Sequence, residues 1–307
     1  MRLSQITART ILGLGVLALT AAGCAAPDEG SSSSSGGKSA GAVGTVGKDD
    51  AAVAKLPANF KSAGTVRVAS GVSFPPMEFF AADNKTVEGF DADLGKALGE
   101  ALGVNFEFSN VNFDGIIGGL EAGRYDLAIT SMLDKKVRQE KVDFVDYLKS
   151  GVAIMVAKGN PAKVTGADSL CGHKVAVEKG STGDLTVDDL SAKCTAAGKP
   201  AIEKQPFPDQ TSAVTALQSS RADAVVALDL TLAYNVKQSN GAFEVVGEPF
   251  DTLPIGIAIP KNNPDLRDAV QLALKKVVAS GVYDQLLAKW NLEKQALKDA
   301  PINSGTA

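Results

Sequence analysis

The stretch DADLGKALGEALGVNFEFS, residues 91–109, changes its hydrophobic period halfway. Leu94, Leu98 and Leu102 recur every fourth residue, which lines one face of a helix. Gly103 stops that helix, because glycine takes the left-handed turn of a helix end without strain. From there Val104, Phe106 and Phe108 alternate with Asn105, Glu107 and Ser109, the pattern of a half-buried strand. TVRVAS (65–70) upstream reads as another strand. Downstream, residues 113–122 put Ile116, Ile117 and Leu120 on one helical face and end at Gly123, and DLAIT (126–130) follows as a short buried strand. Strands alternating with helices predict an α/β fold whose mostly parallel sheet is covered on both faces.

The series then restarts. Residues 135–141 read as a polar helical turn and GVAIMVA (151–157) as a strand. HKVAVE (173–178) is a strand, GSTG (180–183) a turn, and a helix runs on to 197. Residues 210–220 are amphipathic through Val214 and Leu217; ADAVVAL (222–228) is a strand and 231–238 a helix. FEVVG (243–247) and PIGIAIP (254–260) read as two further strands, with helices over 263–280 and 282–290. The breaks near Gly151 and Pro254 divide the pattern into two lobes without a clear internal repeat. A cleft between two such lobes, at the carboxyl ends of strands, is the expected place for a ligand.

Residues 1–10 carry Arg2 and Arg9 and no acid, and ILGLGVLAL (11–19) is a short apolar run. It falls well below the ~20 residues of a spanning helix, so 1–23 reads as a secretory signal. LTAAGC (19–24) resembles the bacterial lipobox, with Cys24 as the lipidated (palmitate-bearing) residue; Ala21 stands where the usual Leu would be. The alternative is an ordinary signal peptide cut near Ala26. Residues 24–62 are rich in Ser, Gly and Ala and read as a flexible tether. Its GAVGTVG lacks the strand and helix that would make it a phosphate loop. Residues 297–307 read as a polar, frayed tail.

Lys and Arg number 31 against 35 Asp and Glu, a net charge of −4, which disfavours a nucleic-acid partner. His173 is the only histidine, so any Ser-His-Asp or Cys-His chemistry must run through it, and poly-His metal sites are excluded. No metal or cofactor is expected. Cys171 and Cys194 form an exported pair and predict a disulfide worth roughly 3 kcal/mol, with two free thiols as the alternative.

Seven segments in order, VRVASGVSFPPMEF, VEGFDADLGKALGEALG, FDGIIGGLEAGRYDLAIT, VRQEKVDFVDY, KVAVEKGSTG, RADAVVALD and GIAIPKNNPDLRDAVQLALKKVVASGVYDQLLAKW, resemble the bacterial extracellular solute-binding proteins of family 3. They cover about residues 65–292. The resemblance implies the two-lobed type II periplasmic-binding-protein fold, with two hinge strands joining lobe 1 (63–150 and 256–296) to lobe 2 (151–255). It implies a monomeric, exported and membrane-anchored receptor that takes an amino-acid-like solute to an ABC permease.

Residue by residue, Arg138 stands where the family grips the ligand carboxylate with a guanidinium fork. Phe74 and Phe113 match aromatic walls of the site, and Ser181 and Thr182 match its hydroxyl and N–H donors, though helix capping alone also explains them; Ser131 is a further candidate ligand contact. Asp229 lies where an aspartate meets the ligand ammonium, one residue late in spacing from Asp223. Asp91 reads as a helix cap and support for lobe 1. Leu133, Lys135 and Gly71 depart from the family pattern. Glu178 departs too, and favours a cationic or amide side chain if it faces the ligand; the alternative is a solvated carboxylate on the rim. Two rival functions remain on this scaffold: a sensing adaptor for a membrane partner, and an exported cyclohexadienyl dehydratase using Glu78 or Glu178 as proton donor.

Overall fold

In the computed structural model, which describes residues 43–307, one sheet runs through both lobes. Its strands are β1 (Thr65–Ser70), β4 (Asn105–Asn110), β5 (Leu127–Ala128), β6 (Val142–Ala157), β7 (Lys174–Glu178), β8 (Glu203–Phe207), β9 (Ala224–Leu228) and β10 (Phe243–Pro260); β2 (Phe79–Phe80) and β3 (Val87–Glu88) form a separate hairpin. The order is β4-β1-β5-β10-β6-β9-β7-β8. β1 pairs in parallel with β4 and β5 to build lobe 1, and β7 pairs in parallel with β8 and β9 to build lobe 2.

β6 and β10 connect the lobes. They are 16 and 18 residues long, about 50–60 Å at the usual rise, and they run antiparallel to each other. One end of β10 meets β5 and the other end of the ribbon meets β9. The register slips between Val246 and Phe250, between Phe250 and Leu253, and between Ile255 and Gly256. Such bulges bend a ribbon, which suits a hinge. The apolar pattern breaks β10 into two strands at these slips and gives no signal for the first half of β6. There Asp143 and Asp146 interrupt the apolar pattern, yet both are buried. Asp143 pairs with Lys261 and Arg267 at 3.0 and 2.9 Å. β8 was missed as well because of Pro206; β8 is an edge strand, where the lost N–H costs no ladder bond.

The helices are α1 (Asp50–Lys55), α2 (Ala58–Ala63), α3 (Phe90–Leu102), α4 (Ile116–Glu121), α5 (Lys136–Gln139), α6 (Thr182–Ala196), α7 (Gln210–Gln218), α8 (Asp229–Gln238), α9 (Pro264–Ala279) and α10 (Val282–Trp290). In lobe 1, α3, α9 and α10 bury Leu94, Leu98, Leu274 and Tyr283 on one face of the sheet, while Ile116 and Leu120 cover the other with Phe144. Lobe 2 likewise has an apolar cluster on each face. None of the described helices is long and apolar enough to cross a membrane. Cys171 and Cys194 are joined, with Cα atoms 5.6 Å apart, and tie the turn before β7 to the last turn of α6.

Two expectations are corrected. The signal segment, Cys24 and the first part of the tether lie outside the described residues, but residues 43–62 are folded onto lobe 1. Asp49 caps α1 through the Ala52 N–H at 2.8 Å, and Val46, Ala52, Leu56 and Phe60 are buried in the main core. Composition hid this because three of those apolar residues fall four apart and make a single stripe, which needs α3 and α9 beneath it. Residues 297–307 are not frayed either: Ala300 is fully buried and Ile302 bridges Val145 of β6.

Candidate functional site

The carboxyl ends of β1, β5, β7 and β9 converge where the lobes face each other. The cleft there is lined by Phe74, Phe113, Thr130, Ser131, Glu178, Ser181, Thr182 and Leu228 among others, and encloses about 20 Å3. A larger hollow, about 800 Å3, lies on the outer side of lobe 1 against α3 and β4, but it is wide open to solvent and far from the facing ends of the lobes. The interlobe cleft is the better candidate.

Arg138 comes from α5 in lobe 1 and is only 5% exposed. Its Nη1 donates to the Leu133 carbonyl at 2.9 Å and to Thr182 Oγ1, across the cleft, at 3.2 Å. Its Nη2 donates to the Gly180 carbonyl at 3.2 Å. The Nε–H and one hydrogen of Nη2 have no partner among the described residues. The guanidinium lies 5.4 Å from the centre of the Phe113 ring, within cation–π range. Burial pulls its pKa down to about 10, so it stays charged at neutral pH. Ser181 caps α6 by accepting from the Asp184 N–H at 3.2 Å. Thr182 opens the helix, and its hydroxyl already serves Arg138.

Gly183 explains how α6 comes so close. A Cβ there would lie 2.2 Å from the Val226 carbonyl oxygen, so only glycine lets this helix start press on β9.

Glu178 ends β7 and is 3% exposed. Its carboxylate has no hydrogen bond or ion pair among the described residues. It faces both the cleft and a side cavity of about 150 Å3, bounded by Ser73, Asn110, Asn112 and Asp209. Burial, with Asp209 and Asp114 nearby, pushes its pKa up to about 8. It is therefore not the solvated rim group that was the alternative from sequence.

Behind Ser131 lies a buried carboxylate pair. Thr130 Oγ1 donates to Glu78 at 3.2 Å, the Ser131 N–H donates to Asp91 at 2.9 Å, and the Tyr147 hydroxyl donates to Asp91 at 2.7 Å. Burial and the neighbouring Asp91 push Glu78 well above the usual carboxylate range. Asp91 thus supports lobe 1, as expected, but it does not cap α3: Gly89 holds that position and makes no side-chain bond. This role for Glu78 was not read from sequence, where a Glu after Pro-Pro-Met carries no marker of burial.

Asp229 is also corrected. It opens α8 and accepts hydrogen bonds from its neighbour's Leu230 N–H at 2.8 Å and from the Ser150 hydroxyl of β6. Leu228, not Asp229, lines the cleft. The extra residue after Asp223 is not absorbed by a bulge; it turns the carboxylate onto the hinge.

The profile of the bacterial extracellular solute-binding proteins, family 3, matches residues 66–293. The chain belongs to this family. It is 30% identical to the arginine-binding protein ArgT of Corynebacterium glutamicum over 253 residues, covering 81% of this chain and 82% of that protein. It is 29% identical to the L-cystine-binding protein TcyJ of Escherichia coli K12, covering 75% and 84%. A solved ancestral arginine-binding protein bound to arginine superposes with a TM-score of 0.68 at 37% identity, over 74% of this chain and 98% of that one. The ancestral amino acid-binding protein AncCDT-1, described as a precursor of cyclohexadienyl dehydratase, gives 0.68 at 33%, over 76% and 97%. The family's two-lobed fold, with two hinge strands, is the one expected from sequence. Its members are extracellular solute receptors.

Proposed function

We propose that this receptor binds an amino acid with a cationic side chain, without chemistry, and hands it to an ABC permease. The observation that carries this is Glu178, a buried carboxylate with no partner among the described residues, aimed into the cleft that Arg138 closes. Arg138 would take the ligand carboxylate through its remaining N–H groups, helped by Ser181 and Thr182 at the start of α6. Phe74, Phe113 and Ser131 would wall the cleft, and Glu178 would meet the distal cation. Asp229 is left out, since Ser150 and Leu230 occupy it. Arginine-binding relatives support the same ligand class. With so little enclosed space, a ligand enters only if the lobes part about β6 and β10, and its two charged ends then hold them together.

A thermal-shift screen of the common amino acids with ornithine tests this. Arginine, lysine or ornithine at 100 times its dissociation constant should stabilise the protein by about 2.7 kcal/mol. A shift produced only by neutral or acidic amino acids would sink the assignment.

Anchoring through Cys24 is part of the proposal and rests on the LTAAGC sequence. Cys24→Ser should release the protein into the medium or leave an uncut precursor. A variant that fractionates and migrates like the parent would refute it.

A further inference from the structure

The segment 301–305 crosses lobe 1 between β6 and the turn that leads into α5, the short helix carrying Arg138. The Asp146 N–H donates to the Pro301 carbonyl at 2.9 Å, and the Phe144 N–H donates to Asn303 Oδ1 at 2.8 Å. Ser304 donates to Asp146 Oδ2 through its hydroxyl at 2.6 Å and its N–H at 3.1 Å. These bonds fasten one side of the segment to the hinge strand. On the other side the Gly305 N–H donates to Asp134 Oδ2 at 2.7 Å. Gln139 Nε2 closes the circuit by donating to Asp134 Oδ1 at 2.7 Å and to the Gly305 carbonyl at 3.1 Å. Asp134 lies just before α5, and Gln139 follows Arg138 on α5. Asp134 follows Leu133, whose carbonyl accepts from Arg138 Nη1.

We infer that the strap 301–305 positions Arg138 for the ligand, with Gly305, Asp134 and Gln139 as positioning residues that act through the guanidinium. A long Arg side chain loses rotamer freedom when it binds, and a loop fixed beforehand removes much of that cost. Gly305 shows how tightly the strap seats. A Cβ there would lie 1.7 Å from the Asp134 carbonyl oxygen, a main-chain atom that cannot rotate aside. The strap therefore meets the loop backbone to backbone, and any side chain at 305 pries them apart.

The ligand side of this inference rests on the proposed function, so the test has an arm that needs no ligand. Hydrogen–deuterium exchange is measured over 132–141 for the parent, Gly305→Ala, Gln139→Ala and Thr306→Ala, the last an exposed neighbour whose side chain makes no hydrogen bond among the described residues. Gly305→Ala and Gln139→Ala should speed exchange in that loop by about tenfold while β7 and β9 stay unchanged, and Thr306→Ala should do nothing. L-Arginine affinity by calorimetry should fall about tenfold in the first two. In an Arg138→Lys background, Gln139→Ala should cost less than about twofold further, because the group it positions is gone. Unchanged exchange in 132–141 overturns the inference whether or not L-arginine binds. So does a full, additive loss of affinity in the Arg138→Lys background, which would mark the strap as general scaffolding.

Discussion

Arg138→Ala should remove ligand binding almost entirely while the unliganded protein melts within a few degrees of the parent. The two halves of this expectation have separate causes. A desolvated charge pair that loses one partner costs on the order of 2–5 kcal/mol, roughly 30- to 5,000-fold in affinity. Folding is less sensitive, because Arg138 donates to two carbonyls and a hydroxyl but forms no ion pair among the described residues, and its burial works against its charge. Calorimetry with the amino acid that gives the largest thermal shift decides it. An Arg138→Ala protein that binds within threefold of the parent would remove the central claim of a carboxylate held by lobe 1.

Glu178→Gln should weaken a cationic ligand by roughly 30-fold or more at neutral to basic pH, and should leave a neutral amino acid nearly unaffected. Its pH signature follows from the carboxyl being held at about 8 rather than its ordinary 4.5. A cation prefers the ionised carboxylate. Parental affinity should therefore climb as pH rises towards about 8, by up to about tenfold per pH unit, and then level off. The Gln variant should be flat over that window. Stability without ligand runs the opposite way. A carboxyl whose folded pKa is raised binds its proton more tightly in the folded chain, so its contribution is complete below about 4.5 and is lost as pH rises through about 8. Glu178→Gln should accordingly lose less melting temperature than the parent between about pH 4.5 and about pH 8. Identical pH profiles for the two proteins, with and without ligand, would mean that Glu178 is not the group facing the solute.

Much of the fold was legible in local patterns. The switch of period at Gly103, the strands at 65–70 and 173–178, and the amphipathic helix over 263–280 each carry their own signal, since an apolar stripe reports which face must be buried. Arg138, Phe74, Phe113, Ser181 and Thr182 were legible only through the resemblance, because an Arg among Lys135, Lys136 and Lys141 looks like a solvated helix face in isolation.

Other features have no local signal. Asp143 and Asp146 look exposed in sequence, but partners 118 or more residues away let them sit inside a strand. Residues 43–62 look like a tether until α3 and α9 supply the surface their apolar stripe needs. The one-residue change in spacing between Asp223 and Asp229 shows in the sequence; that it hands the cleft to Leu228 and ties Asp229 to Ser150 does not.

The alternation of strands and helices, the two lobes and the family can be read from the chain alone. Those are written in short-range periodicity, composition and motif order, which do not depend on distant partners. The surroundings and partners of the groups in the cleft follow from packing between distant segments. Tertiary packing left Glu178 without a partner among the described residues, paired Glu78 with Asp91, and laid 301–305 against the segment that leads into α5. Burial and hydrogen bonding are set by whatever segments the fold brings together, and Gly305 and Asp134 lie 171 residues apart along the chain.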